Sequence, residues 1–125
     1  MLRACHDLLR PGGTLAFTTI YIAPGVTPEQ YRRASRVRGA GIAQGRPLGD
    51  LLAAAGFVDV RQRDVTGAFA RTTRAYLETS ERYADELRIA WGQARFAEVL
   101  SDRKGTLSLV AEGAVRRALI TARRS

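Results

Sequence analysis

The stretch LLRPGGTLAF, Leu8–Phe17, decides how the rest of the chain is read. Ahead of it, Leu2, Cys5, Leu8 and Leu9 recur at the spacing of one buried helix face. Pro11 ends that helix, because the residue before a proline is pushed out of the α region. Gly12 and Gly13 then permit a tight reversal. The segment after the glycines, TLAFTTIYI (Thr14–Ile22), is β-branched and aromatic and carries no charge. Such a run predicts a strand covered on both faces, as in a parallel sheet. No Ser, Thr, Asp or Asn cap precedes the first periodic residues. A helix met already in progress, leading straight into a buried strand, gives the expectation that these residues are the later part of a larger domain.

The chain has 125 residues, enough for one core and one domain at most. No segment approaches the roughly 18 consecutive apolar residues of a membrane span, and the front lacks a signal-peptide core, so a cytoplasmic protein is expected. A single cysteine, Cys5, excludes an internal disulfide and lies on the apolar helix face, where it reads as a core residue. The formal net charge of +8 invites a nucleic-acid reading. Its distribution argues otherwise. Lys104 is the only lysine, and the arginines are interleaved with acids, as in LETSERYADELR. The tightest groups are Arg32, Arg33, Arg36 and Arg38, then Arg116, Arg117, Arg123 and Arg124. A solvated basic surface is the expected reading.

Downstream of the strand, Pro24, Gly25 and Pro28 mark a loop, and Thr27 can cap a helix with Pro28 at its first position. That helix, PEQYRRASRVR, has only Tyr31, Ala34 and Val37 as an apolar stripe, so a surface lid is expected. Gly39, Gly41 and Gly45 come close to a dinucleotide fingerprint but follow a charged helix instead of a buried strand, and read as a loop. PLGDLLAAAGF is a short helix with Leu48, Leu51 and Leu52 inward and Gly56 as its stop. FVDVRQRDV alternates, with Val58 and Val60 on one side and Asp59, Arg61 and Arg63 on the other, as on a half-exposed edge strand. The longest helix is expected in RTTRAYLETSERYADELRIAW, capped by Thr72 or Thr73. Its stripe is Tyr76, Tyr83, Leu87 and Trp91, and Gly92 breaks it. Two shorter helical stretches come next, one from Gln93 toward Leu100 and one at TLSLVAE, and AVRRALITARR supplies a last strand. The order alternates as in an α/β sheet with crossover helices.

LRACHDLLRPGGTLAF resembles the segment of class I S-adenosylmethionine-dependent methyltransferases, of the small-molecule, type 11-like kind, that leads into the fifth strand of their sheet. LGDLLAAAGFVDVRQRDVT is similar to the helix, Gly-Phe turn and sixth strand of that family, and GAVRRALITARR to its final strand. The resemblance implies the C-terminal half of a Rossmann-like methyltransferase sheet. It would hold three strands, the last antiparallel between the other two, with a helical insertion at about residues 70–112 before the final strand. Residues 1–125 would form a single partial domain. The glycine-rich turn and the acidic residue that hold the cofactor in the family belong to the half with no counterpart here.

The function implied is methyl transfer from S-adenosylmethionine to a small-molecule acceptor, with the isolated chain expected to be inactive. In open α/β sheets ligands bind beyond the carboxyl ends of the strands. That places Thr19, Tyr21 and Ile22 nearest the chemistry, with Tyr31, Phe69, Tyr76 and Trp91 as candidate walls of an acceptor pocket. His6, the only histidine, lies toward the polar side of the first helix and at the wrong end of the strand for a base. No residue is assigned as catalytic, cofactor-binding or metal-ligating. The open edge of the first strand predicts a dimer, or docking onto an N-terminal half-domain. Two other readings stay open: a non-catalytic interaction module on the same half-fold, and an Arg-rich RNA-binding domain.

Overall fold

The computed structural model describes residues 1–38 and 47–125. Gly39, Gly41 and Gly45 lie outside the described residues. The order of elements is α1 (Leu2–Leu8), β1 (Thr14–Ile22), α2 (Pro28–Arg38), α3 (Leu48–Ala54), β2 (Phe57–Asp64), α4 (Thr66–Arg82), α5 (Ala84–Trp91), α6 (Gln93–Ala111) and β3 (Val115–Arg124). The strands form a sheet in the order β1-β3-β2. β3 runs antiparallel to both neighbours, pairing Thr14 with Arg123, Ile22 with Val115 and Asp64 with Ala118. β1 and β2 are therefore parallel to each other, with their carboxyl ends at the same edge. The last strand lies antiparallel between the other two, in the place the resemblance implies.

The alternation along β3 sets the two layers. Ala118, Ile120 and Ala122 point to one face, where Leu52 of α3, Phe57 and the α1 residues Leu2 and Cys5 close over them. Val115 points to the other face and meets Ala34 of α2 and Leu109 of α6. The PGG turn joins the layers: the Gly12 N–H donates to the Arg124 carbonyl and the Arg124 N–H to Gly13, extending the ladder past the first residue of β1. Gly12 takes φ +78°, a left-handed conformation that explains its glycine.

Several expectations are corrected. β1 is not covered on both faces: none of its residues is fully buried, and Thr14, Ala16 and Thr18 stand exposed on the face opposite Leu15 and Phe17, which pack on the core. Val58 and Val60 do not turn inward; each is 38% exposed. A register shift between Val58 and Arg61, with Asp59 at φ +53°, bulges the strand and leaves Phe57 as its one buried residue.

The helix α2 lies on the surface and is held there at its start and along its apolar stripe. A capping box holds its start, with the Gln30 N–H donating to Thr27 Oγ1 at 3.1 Å and the Thr27 N–H donating to Gln30 Oε1 at 3.0 Å. Ala34 is wholly buried, and Val37 stands where a side chain on Gly105 would meet it at 3.2 Å. Small residues on both helices let α2 settle onto α6, which a count of apolar residues misses.

The helical boundaries also differ. α4 begins at Thr66, with the Thr66 N–H donating to the Asp64 carboxylate, so Thr72 and Thr73 are interior residues and Thr73 is buried. It breaks at Tyr83. α6, at 19 residues, is the longest helix and runs through Gly105, joining the two stretches expected to be separate.

Candidate functional site

The helical layer stands at the carboxyl edge of the parallel strands. β1 leaves that edge into the loop before α2, and β2 leaves it into α4. α6 returns to it at Val115, opposite Ile22. The edge is fastened by polar contacts. The Arg33 guanidinium, at the middle of α2, makes two 2.9 Å bonds to the Glu112 carboxylate just after α6, and Gln30 Nε2 donates to the same group. These bonds hold the Glu112 carboxyl below its ordinary range and raise Arg33. Asp64 is likewise held below its ordinary value, chiefly by the Thr66 hydroxyl and then by the Thr66 N–H. Arg117 of β3 donates to Thr18 Oγ1 at 2.9 Å, and its guanidinium carbon lies 5.3 Å from the Phe69 ring centre.

Two concavities open in this layer. The larger, of about 570 Å³, runs along α4 and α5 and is walled by Tyr76, Tyr83, Leu87 and Trp91. That volume falls in the usual range for small-molecule sites, roughly 300–1,000 Å³. Ser80 also lines it, but its hydroxyl donates to the carbonyl of Tyr76 at 2.8 Å and so is satisfied within its own helix. The smaller, of about 200 Å³, lies between α2, α4 and α6 and is walled by Val37, Phe69, Thr73, Arg95, Asp102 and Arg103.

Of the seven residues singled out by sequence, Tyr76 and Trp91 meet in the larger groove and Phe69 borders the smaller cavity. Tyr21 packs against the Leu52–Phe57 cluster, Ile22 against the Val115–Leu109 cluster, and Thr19 pairs with Ala118. Tyr31 is 44% exposed on α2. None of these four is among the residues walling either concavity. Tyr83 and Leu87 were visible as part of the helical stripe. Arg103 carried no sequence signal, because its partner Tyr76 lies on a different helix.

His6 sits at the opposite edge. Its ring meets Phe57 edge-on with centres 5.5 Å apart, and its Nε2 lies 2.8 Å from where a Cβ on Gly56 would stand. It is a packing residue at the amino end of β2, not one turned to the polar side. Among the described residues, no group of three or more His, Cys, Asp or Glu side chains could hold a metal ion. Nor is any described helix long and apolar enough to cross a membrane.

The comparisons extend the resemblance from motif to fold. No family model matches the chain. Among curated proteins, a phosphoethanolamine N-methyltransferase of Triticum aestivum is 25% identical over 116 residues, which is 93% of this chain and 23% of that protein. Among solved structures, phosphoethanolamine N-methyltransferase 2 of Haemonchus contortus, in complex with phosphomonomethylethanolamine and S-adenosylhomocysteine, superposes with a TM-score of 0.83 at 17% identity. It covers 98% of this chain and 29% of that one. A cyclopropane synthase of Mycobacterium tuberculosis gives 0.80 at 18% identity, covering 98% of this chain and 48% of that one. The chain thus has the fold of the C-terminal part of class I S-adenosylmethionine-dependent methyltransferases, and spans about a quarter of the length of the curated relative it matches. A second structure of the Haemonchus enzyme is in complex with S-adenosyl-L-methionine.

The two carboxylates fixed at the carboxyl edge, Asp64 and Glu112, are already engaged by Thr66 and by Arg33 with Gln30.

Proposed function

We propose that this chain is the acceptor-side portion of an S-adenosylmethionine-dependent methyltransferase acting on a small molecule. The observation that carries the reading is the apolar groove of about 570 Å³ in the helices standing over the carboxyl edge of a methyltransferase sheet. Ligands of open α/β sheets bind at that edge. The contribution of such a wall to the reaction is placement: it holds the acceptor atom in line with the methyl group and keeps water away. Tyr76 and Trp91 belong to the wall of the groove and Phe69 to the neighbouring cavity, whereas Thr19, Tyr21, Ile22 and Tyr31 lie outside both.

On this reading the cofactor contacts come from sequence outside these residues, in keeping with the 23% of the wheat enzyme that the match spans. A partner strand, from an N-terminal half-domain or a second copy, covers the open edge of β1. The interaction-module and RNA readings have no observation that favours them over this one. Arg33, Arg123 and Arg124, from the two basic groups, are engaged by Glu112, Asp59 and the Leu9 carbonyl.

Micromolar affinity requires about 8 kcal/mol. Two or three half-buried side chains, at about 1.5–3 kcal/mol each before ordering costs, do not reach it with specificity. Isothermal titration of the 125-residue chain with S-adenosylmethionine is expected to give no saturable binding below about 100 μM, roughly 5.5 kcal/mol. Saturable micromolar binding overturns the division of labour proposed here.

A further inference from the structure

The two concavities share one contact. Tyr76 walls the apolar groove, and the guanidinium carbon of Arg103, which walls the polar cavity, lies 3.7 Å from the Tyr76 ring centre. Arg103 is the cation that touches both concavities. Arg95, across the same cavity, is paired with Glu98 at 3.3 Å, and Lys104 with Glu81 at 3.7 Å. Arg103 has no carboxylate within ion-pair distance among the described residues, although Asp102 borders the same cavity, and its Nε is buried with no hydrogen-bond partner. A guanidinium stacked on an aromatic ring keeps its edge free for an oxyanion. Close by, Thr106 is buried and donates its hydroxyl to the Asp102 carbonyl at 2.9 Å, while Thr73 is buried beside it on α4. The groove on the other side of the Arg103–Tyr76 pair has Tyr83, Leu87 and Trp91 and no charged residue in its lining.

We propose that α4, α5 and α6 form a two-part site for an amphiphilic organic anion, whose apolar body lies along Tyr76, Tyr83 and Trp91 and whose carboxylate or phosphate is taken by Arg103. The groove alone cannot select an anion, having no cation in its wall, and the cavity alone is too small for more than a headgroup. The site goes beyond the methyl-transfer reading: it binds such a molecule whatever is then done to it, and this titration and the cofactor titration can each fail alone.

Trp91 is the only tryptophan, so its emission reports the groove directly. The full chain is titrated with octyl phosphate, octanoate, octanol, octylammonium and inorganic phosphate, the amphiphiles held below their micellar concentrations. Octyl phosphate or octanoate, whichever headgroup fits, is expected to shift Trp91 emission saturably and to bind at least tenfold more tightly than octanol or octylammonium. Inorganic phosphate should leave the emission unchanged. Arg103→Gln is expected to erase the tenfold preference while keeping octanol binding. Thr79→Phe, which narrows the groove, should weaken every alkyl ligand at least fivefold. Thermal melts followed by circular dichroism identify a variant that has lost its fold; in that case the order of the ligands on the unaltered chain decides. Equal binding of octanol and both anions, tighter binding of octylammonium, or an intact preference in a folded Arg103→Gln protein overturns the proposal.

Discussion

The two outer strands of the sheet, β1 and β2, hang on the same central strand and yet are finished differently. β2 carries Asp59, Arg61, Arg63 and Asp64, is bulged at Asp59, and has that aspartate bridged to Arg123 at 2.7 Å. Charge and a bulge are what close an edge to further pairing. β1 carries no charge over nine residues, has no bulge, and pairs in unbroken register from Thr14 to Ile22. The difference teaches that β2 has the features of a closed sheet edge, and β1 has none of them. On the reading proposed above, its unpaired side is where a further strand would add.

The experiment with the largest expected effect tests what the two strands share. Ile120 is 2% exposed and stands opposite Phe17 on β1 and Gln62 on β2. Ile120→Ala should lower unfolding free energy by about 2–5 kcal/mol, as cavity-forming changes in cores do. Urea titration followed by circular dichroism measures it. A loss below about 1 kcal/mol would mean that the strands are held by something other than this core.

Smaller in energy, and sharper on the contrast, is a charge placed on each edge. Sedimentation of the unaltered chain at tens of micromolar is expected to show self-association through β1. Ala16→Lys, at an exposed position on β1, should weaken that association at least tenfold, about 1.4 kcal/mol or more. Gln62→Lys on β2 should leave it unchanged. A monodisperse monomer, or equal effects from the two lysines, breaks the comparison.

Much of this architecture was legible because local chemistry and fold agree. The PGG turn, the Gly56 stop and the Thr27–Pro28 helix start each demand one backbone conformation, and strand order came from the resemblance those turns carried. What escaped reading was set by partners distant in sequence. Ala34 looks like part of a thin stripe until Gly105 is known to lie beneath the same helix. Gly105 gives no sign of its role until Val37 is seen to occupy the space of its missing side chain. Val58 and Val60 alternate correctly for a buried face, but the bulge at Asp59 moves them out. In the candidate site, the aromatic stripe from Tyr76 to Trp91 was visible by period. The unpaired Arg103 was not, since twenty arginines and lysines look alike until their carboxylates are found.

The smallest effect concerns how the helical layer is fastened to the carboxyl edge. Glu112 has its carboxyl lowered, first by its bonds from Arg33 and then by Gln30. A carboxyl whose folded value lies below its unfolded value of about 4.3 stabilises the fold above that value. The contribution fades as pH falls from there through the lowered folded value, because protonation breaks the bonds. Glu112→Gln should therefore differ from the unaltered chain by a constant margin between about pH 6 and 8, and the margin should shrink to nothing as the pH drops below about 4. Arg33 contributes no change in this window, its raised value lying far above it. The same substitution frees α2, so hydrogen exchange of the amides after Thr27 should quicken at neutral pH, while those of β2 keep their rates. Denaturation midpoints measured across the pH series decide the point: a margin that grows toward low pH would mean that Glu112 is better placed when neutral, and that α2 is held by Ala34 and Val37 alone.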